Sequence, residues 1–246
     1  MQDQHFLESE WCAKVAAAVQ TQPGDVILEI GAGRGELTQF LLPLGRVIAI
    51  ESDPSLFAEL RDLAGRRGAD VRLGNALHFL RRIRFSIIAA NLPYAICEPL
   101  FRSLAFHHWR EGVATIPRRF AALLGKPPYS FLYQVEELFP VPRDAFSPQP
   151  RTDSVVVRVR PRPSLLREVF LLRERRLKNA LERALRGKTK REVRASLRGL
   201  PAALQDQQVS QLTPADWIAV EEWLGAPKKP ADSGHLLSKQ QSGENV

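Results

Sequence analysis

Residues 25 to 35 read Asp-Val-Ile-Leu-Glu-Ile-Gly-Ala-Gly-Arg-Gly, a short apolar run followed by three alternating glycines. An apolar run of this length that passes straight into a glycine-rich turn is the pattern of a buried strand feeding a helix. The helix expected next covers Glu36 to Leu42 and is stopped by Pro43. Arg46-Val-Ile-Ala-Ile-Glu51 is a second strand, ending on a carboxylate. Pro54 to Ala64 is a helix with Leu56, Leu60 and Leu63 on one side, Ala69 to Gly74 a third strand, and Phe85-Ser-Ile-Ile-Ala-Ala90 a fourth. Strands alternating with helices at this spacing predict an α/β domain with a mostly parallel sheet and right-handed crossovers. Ligands bind such sheets beyond the carboxyl ends of the strands, where Gly31, Glu51, Asn75 and Asn91 all fall.

On the N-terminal side, Trp11, Val15 and Val19 recur at helical spacing after a capping-type Ser9, and Pro23-Gly24 ends that helix. On the C-terminal side, Pro99 to His107 reads as a helix, and the chain is less regular from there to Tyr129. Phe131 to Phe139 resumes an apolar pattern, Phe146-Ser-Pro-Gln-Pro150 is a rigid loop, and Ser154 to Val159 is a strand. Pro161-Arg-Pro163 marks a boundary. The expected organisation is therefore a catalytic domain over 1–163, a small basic helical domain over 164–226 and a polar tail over 227–246. The tail carries no core pattern and is expected to be disordered. Within the second domain, Thr213-Pro-Ala-Asp-Trp217 reads as a capped helix start.

The chain has 246 residues, 44% apolar and 25% charged, ordinary values for a globular protein. No run approaches the length of a membrane span, and the N-terminus lacks a signal-peptide pattern. Cys12 and Cys97 are isolated thiols and the five histidines form no ligand pair, so a reduced cytoplasmic setting and no metal are expected. Monomer is the default. The charge is more informative. Between Pro161 and Leu200 stand thirteen Arg or Lys against four Glu, a balance of +9 in a chain whose net charge is +8. Such concentration points to a phosphate backbone as partner, with Arg173, Arg175, Arg176 and Lys178 as candidate contacts.

Glu29-Ile-Gly31-Ala-Gly33-Arg-Gly35 differs from the dinucleotide fingerprint, whose third glycine lies three after the second. Glycines here let the backbone approach a ligand closely. Glu51, at the end of the second strand, suits ribose hydroxyls in either a dinucleotide or S-adenosylmethionine. Asn91-Leu-Pro-Tyr94 then narrows the chemistry. An amino group conjugated to an aromatic ring is a poor nucleophile. An Asn oxygen and a neighbouring backbone carbonyl can accept both its N–H bonds and draw the nitrogen toward tetrahedral geometry. A Tyr one step after a Pro can stack on the base. The tetrapeptide implies methylation of an exocyclic base nitrogen.

With Gln4-His-Phe-Leu7, Glu29 to Gly35, Glu51, Gly74-Asn-Ala76, Asn91 to Tyr94 and Phe146-Ser-Pro-Gln-Pro-Arg-Thr-Asp-Ser154 in order, the chain resembles the rRNA adenine N6-dimethyltransferases of the KsgA and Erm type. It is most similar to the small-subunit enzymes. The resemblance covers roughly residues 2 to 224. It implies a Rossmann-like class I S-adenosylmethionine-dependent methyltransferase with a mostly parallel sheet and a small C-terminal helical domain, acting on rRNA or a pre-ribosomal small subunit. By this resemblance Gln4, His5 and Leu7 close over the methionine end of the cofactor. Glu29, Gly31, Gly33 and Gly35 line its tail and ribose, Glu51 binds the ribose hydroxyls, and Asn75 with Ala76 meets its adenine. Asn91 and the Leu92 carbonyl hold the target nitrogen, Pro93 sets their geometry, and Tyr94 and Phe146 stack on the flipped base. Two features depart from the family: Asn75 stands where Asp is usual, and Pro117-Arg-Arg119 replaces a Gln-Lys-Glu-Val run. Two neighbouring readings stay open, an Erm-like enzyme acting on the large subunit and an rRNA-binding assembly factor with weak or no activity.

Overall fold

The computed structural model describes residues 4–185, 192–193 and 197–225. The expected tail at 227–246 and part of the basic block lie outside them. The chain divides into two compact units, residues 1–171 and 172–246.

In the first unit seven strands make one sheet. They are β2 (Val26–Ile30), β3 (Arg46–Glu51), β4 (Asp70–Leu73), β5 (Ile87–Asn91), β6 (Glu111–Pro117), β7 (Tyr133–Val141) and β9 (Ser154–Pro161), in the spatial order β4-β3-β2-β5-β6-β9-β7. The first five are mutually parallel; β9 runs antiparallel to both β6 and β7. Ile27, Val47, Ala49 and Ile87 are fully buried, as strands covered on both faces require. Register aligns Ile30 with Ile50 and Glu29 with Ala89. The chain therefore leaves β2, β3 and β5 along one edge, and the glycine turn, Glu51 and Asn91 meet there. Helices α1 (Ser9–Ala17) and α3 (Pro54–Leu63) turn Cys12, Val15 and Leu60 into the core. Asp53 caps α3 by accepting from the Ser55 amide at 2.9 Å, with Pro54 at the first helical position. The cap of α1 is Glu8, without a side-chain bond, and Ser9 is already helical.

Strand β6 was not expected. Its residues Glu111-Gly-Val-Ala-Thr-Ile-Pro117 are all buried, so the run carries neither alternation nor a bulky apolar stretch to mark it. Two further short strands, β1 (Phe6–Leu7) and β8 (Phe146–Ser147), pair antiparallel, so the expected loop at Phe146 begins as a strand. At the foot of β6 the Glu111 carboxylate is 1% exposed and takes the Arg160 guanidinium at 2.5 Å and Arg158 at 3.5 Å. Helix α5 (Cys97–Leu104) follows β5, and α6 (Arg118–Leu124) follows β6. Leu165–Leu171 is a helix that stays with the first unit. Its Arg167 donates to the Ala105 carbonyl at 2.9 Å, and the Phe170 ring lies 5.7 Å from that of Phe106. The division thus falls after this helix rather than at Pro161–Pro163.

The described part of the second unit contains helices Leu177–Ala184, Ala202–Asp206 and Pro214–Gly225, with Leu177, Leu181, Trp217 and Val220 buried. The last helix opens as the sequence expects. Asp216 accepts from the Thr213 amide at 2.8 Å, and the Thr213 hydroxyl accepts from the Asp216 amide at 3.2 Å.

Candidate active site

A cavity of about 370 Å³ opens at the carboxyl edge of the sheet. Of the residues singled out in the sequence, Gln4, His5, Leu7, Glu29, Gly31, Gly33, Glu51, Asn75, Ala76, Asn91, Leu92, Pro93 and Tyr94 line it. Gly35 and Phe146 do not.

The glycine turn forms one wall. Gly31 and Ala32 both donate to the Ile50 carbonyl, at 2.9 and 3.0 Å, tying the turn to the end of β3. Gly31 has φ +70°, and a Cβ there would stand 3.0 Å from Pro93 Cδ, inside the rigid ring that positions Tyr94. The Gly33 amide donates to Glu51 Oε2 at 2.8 Å. Gly35 faces the other way: its Cβ would sit 2.7 Å from Leu63 Cδ2, so this glycine serves packing against α3 rather than the ligand.

Glu51 is nearly buried and its Oε1 accepts from the Ser52 and Asp53 amides at 2.7 and 2.8 Å. These donors fix the carboxylate, and Oε2, holding only the Gly33 amide, keeps acceptor capacity for a hydroxyl. Glu29 is 1% exposed and its Oε2 has no hydrogen-bond partner. Burial above all pushes this carboxyl up to about 8; the Thr38 hydroxyl opposes the shift and the Glu36 and Glu51 carboxylates add to it. Asn75 accepts from the Leu77 amide at 2.9 Å and so caps a short helix, Ala76–Phe79, at the far wall. A fixed ribose-type acceptor, a buried carboxyl with one unpartnered oxygen and a turn with no room for Cβ atoms fit a nucleoside bearing an amino-acid tail.

On the opposite side, Asn91 donates through Nδ2 to the His5 carbonyl at 2.8 Å. That bond commits the amide nitrogen and leaves Oδ1 as the end available to a ligand. The N-terminal segment is held by further bonds, Gln4 Nε2 to Asp53 at 2.8 Å and His5 Nδ1 to the Pro148 carbonyl at 2.8 Å. The Tyr94 hydroxyl lies 2.7 Å from Ser154 Oγ, and burial chiefly raises its pKa, so it is a neutral phenol at physiological pH. Its ring has an aromatic neighbour in His5, centroids 5.6 Å apart. Phe146 was expected to stack on a base; it is instead 3% exposed and packs in the core with Leu7 and Cys12. The alternation of β8 decides this, because Phe146 pairs with the inward-facing Leu7. Sequence reasoning missed Asp53 as the anchor of Gln4. The signal was its capping position just past Glu51. Cys12 also lines the cavity, but burial pushes both cysteine thiols up to about 12, so neither is a nucleophile.

The four candidate phosphate contacts sit elsewhere, in the second unit. Arg176 and Lys178 both reach Asp206, at 3.2 and 2.7 Å, and Arg173 reaches Glu174 at 3.1 Å; all are exposed. Among the described residues no group of three or more His, Cys, Asp or Glu could hold a metal, and no helix is long and apolar enough to cross a membrane.

A family model described as ribosomal RNA adenine dimethylase matches residues 2–225. The chain is 32% identical to a protein of Thermosynechococcus vestitus named ribosomal RNA small subunit methyltransferase A, over 90% of this chain and 94% of that one. It is 33% identical to a probable ribosomal RNA small subunit methyltransferase A of Methanothermobacter thermautotrophicus, over 81% of each. Among solved structures, a dimethyladenosine transferase from Plasmodium falciparum superposes with a TM-score of 0.59 at 24% identity, over 90% of this chain and 98% of that one. The 23S rRNA methyltransferase ErmE gives 0.57 at 22%, over 90% of this chain and all of that one. At these identities the two structures establish the fold alone, a mostly parallel sheet flanked by helices with a C-terminal helical region.

Proposed function

This chain belongs to the ribosomal RNA adenine dimethylase family, and on that premise we propose that it transfers methyl groups from S-adenosylmethionine to N6 of adenosine in small-subunit rRNA, two per base. The observation that carries this reading is the Asn91 amide, locked by its nitrogen to the His5 carbonyl at the mouth of the cofactor cavity.

When bound, S-adenosylmethionine supplies an electrophilic methyl group on a cationic sulfur. Glu51 takes its ribose hydroxyls, Asn75 and Ala76 meet its adenine, and Gly31 and Gly33 let its tail lie against the backbone. Gln4, His5 and Leu7 close the methionine end. The target base leaves its stack at a cost of a few kcal/mol, roughly, which favours single-stranded loops. Tyr94 stacks on it. Asn91 Oδ1 and the Leu92 carbonyl accept the two N6 hydrogens, which turns the nitrogen lone pair out of the ring plane and toward the methyl group. Pro93, with its fixed φ, holds the two acceptors in register. The methylated nitrogen is acidic and loses its proton to water, so the site needs no strong base. Rate comes from alignment. The protein works in the cytoplasm, as a monomer, on rRNA or the pre-ribosomal small subunit, with the basic second unit gripping the backbone.

The test is methyl transfer from labelled S-adenosylmethionine to purified small and large ribosomal particles that lack the modification, with digestion to nucleosides. Dimethyladenosine from the small particle is the expected product. Label in the large particle alone moves the substrate to the other subunit. No label in either, with cofactor and RNA still bound, makes the protein an assembly factor.

A further inference from the structure

Beside the cofactor cavity, and sharing Tyr94 and Ala95 with it, runs an open groove between α5 and α6. Its floor is apolar, with Pro99, Phe120 and Leu123. Its rim carries three cations, Arg102, Arg119 and Lys126, against one carboxylate, Glu98, which lies 3.8 Å from Arg102 in the same helix. Among the described residues neither Arg119 nor Lys126 has an acidic partner. The neighbouring Arg118 points away and reaches Glu137 at 3.5 Å. Pro117 ends β6 and caps α6, which is what brings Arg119 round to the groove. The Arg119 charge is close enough to help lower the pKa of both Tyr94 and Cys97 against the burial that raises them.

An apolar floor with unpaired cations at its rim is complementary to a nucleotide, whose flat base or sugar is apolar and whose phosphate is an anion. Continuity with Tyr94 says which nucleotide. The base on Tyr94 is the methyl acceptor, so a groove that begins at the same ring is reached by the next residue of the same strand. We propose that this groove holds the nucleotide adjacent to the target adenosine, its phosphate met by Arg119 and Lys126 and its base or ribose lying on Pro99 and Phe120. This assignment rests on the rRNA reading above and extends it. The methyltransferase unit itself grips the strand beside the flipped base, through Lys126 and through Arg119, the last residue of the run that departs from the family pattern.

The test uses the full chain and a short single-stranded RNA containing adenosine, with Kd followed by fluorescence anisotropy across a salt series. Arg119→Glu and Lys126→Glu are each expected to weaken RNA binding about tenfold at low salt. Each should also flatten the slope of log Kd against log salt by about 0.7, the share of one phosphate on a single strand. Affinity for S-adenosylmethionine should stay within twofold, and Arg119→Lys should retain most RNA binding, because a phosphate accepts a point charge. Arg61→Glu, an exposed arginine on α3, is the control for net charge. RNA affinity and salt slope unchanged in both groove variants, or lowered equally by Arg61→Glu, overturns the proposal. So does weaker binding with an unchanged slope, which would show that neither side chain meets a phosphate. A wild-type chain that transfers no methyl group, yet binds RNA through Arg119 and Lys126, sinks the enzymatic reading and leaves the groove standing. Full transfer with indistinguishable groove variants does the reverse.

Discussion

Asn91 grips the chain with one end of its amide and leaves the other available to a ligand; on the proposed reading that ligand is the target base, so removing the side chain separates binding from chemistry. On that reading Asn91→Ala takes one acceptor away from the two N6 hydrogens and no longer holds the nitrogen out of conjugation. Transfer should fall by about 100-fold or more, the scale of a misaligned attack. The cofactor should bind no more than about tenfold weaker, since the Nδ2 bond to His5 is a single neutral hydrogen bond. Single-turnover kinetics beside calorimetric titration with S-adenosylmethionine read the two effects apart. Glu29 makes a different prediction. Its folded-state pKa of about 8 lies above the ordinary 4.5, so the folded chain holds a proton that the unfolded chain gives up. Its contribution to stability is complete below pH 4.5 and is lost as pH rises through 8. Thermal unfolding of the cofactor-free protein should show Tm falling across that window. Glu29→Gln, which keeps the shape without the titration, should flatten the fall. An equal slope in both proteins would show that other groups set it.

At the scale of the element, the glycine turn shows how much of the site was legible. Three alternating glycines after an apolar run announce the strand, the turn and the ligand edge, because backbone without Cβ atoms leaves a pattern in any sequence. What each glycine faces is a tertiary matter. Gly31 abuts Pro93 from a segment sixty residues on, and Gly35 abuts Leu63. The two should therefore fail differently. Gly31→Ala pushes on a rigid ring and should depress transfer well beyond its effect on stability. Gly35→Ala meets the free end of a leucine side chain but must hold φ +102°, costing roughly 1–3 kcal/mol of stability with modest loss of activity. Urea unfolding and initial rates on both variants decide it. Strand β6 escaped the sequence for a related reason. Its Glu111 is charged and buried, a combination that periodicity reads as surface, and Arg158 and Arg160 on the neighbouring strand make it tolerable. Taking both guanidinium groups away leaves that carboxylate as an uncompensated buried charge. Arg158→Met combined with Arg160→Met should accordingly cost about 3–5 kcal/mol in urea unfolding. Replacing all three residues with apolar ones should cost far less. Phe146 escaped in the opposite direction: its motif suggested the base, and the pairing of β8 with β1 turned it into the core.

For the molecule as a whole, the uneven charge was plain from a count, but its local cancellation was not. Asp206 lies far along the chain from Arg176 and Lys178, and folding brings it to both. An exposed ion pair of this kind contributes about 0–1 kcal/mol to stability. Its larger effect is on the field an RNA meets, because one carboxylate between two cations subtracts from the attraction that steers a polyanion in. Asp206→Asn removes that carboxylate while keeping the hydrogen-bonding oxygen. RNA should then bind about threefold tighter at low salt, with a steeper salt dependence and a faster association rate, and the gain should vanish as ionic strength rises. Arg173→Glu combined with Arg175→Glu should move every one of these quantities the other way. Stopped-flow association with rRNA fragments at several salt concentrations distinguishes the outcomes. If the Asp206 and arginine variants leave affinity and rate unchanged at all of them, the basic block of the second unit is a solvated face. The grip on the substrate then lies with the methyltransferase unit alone.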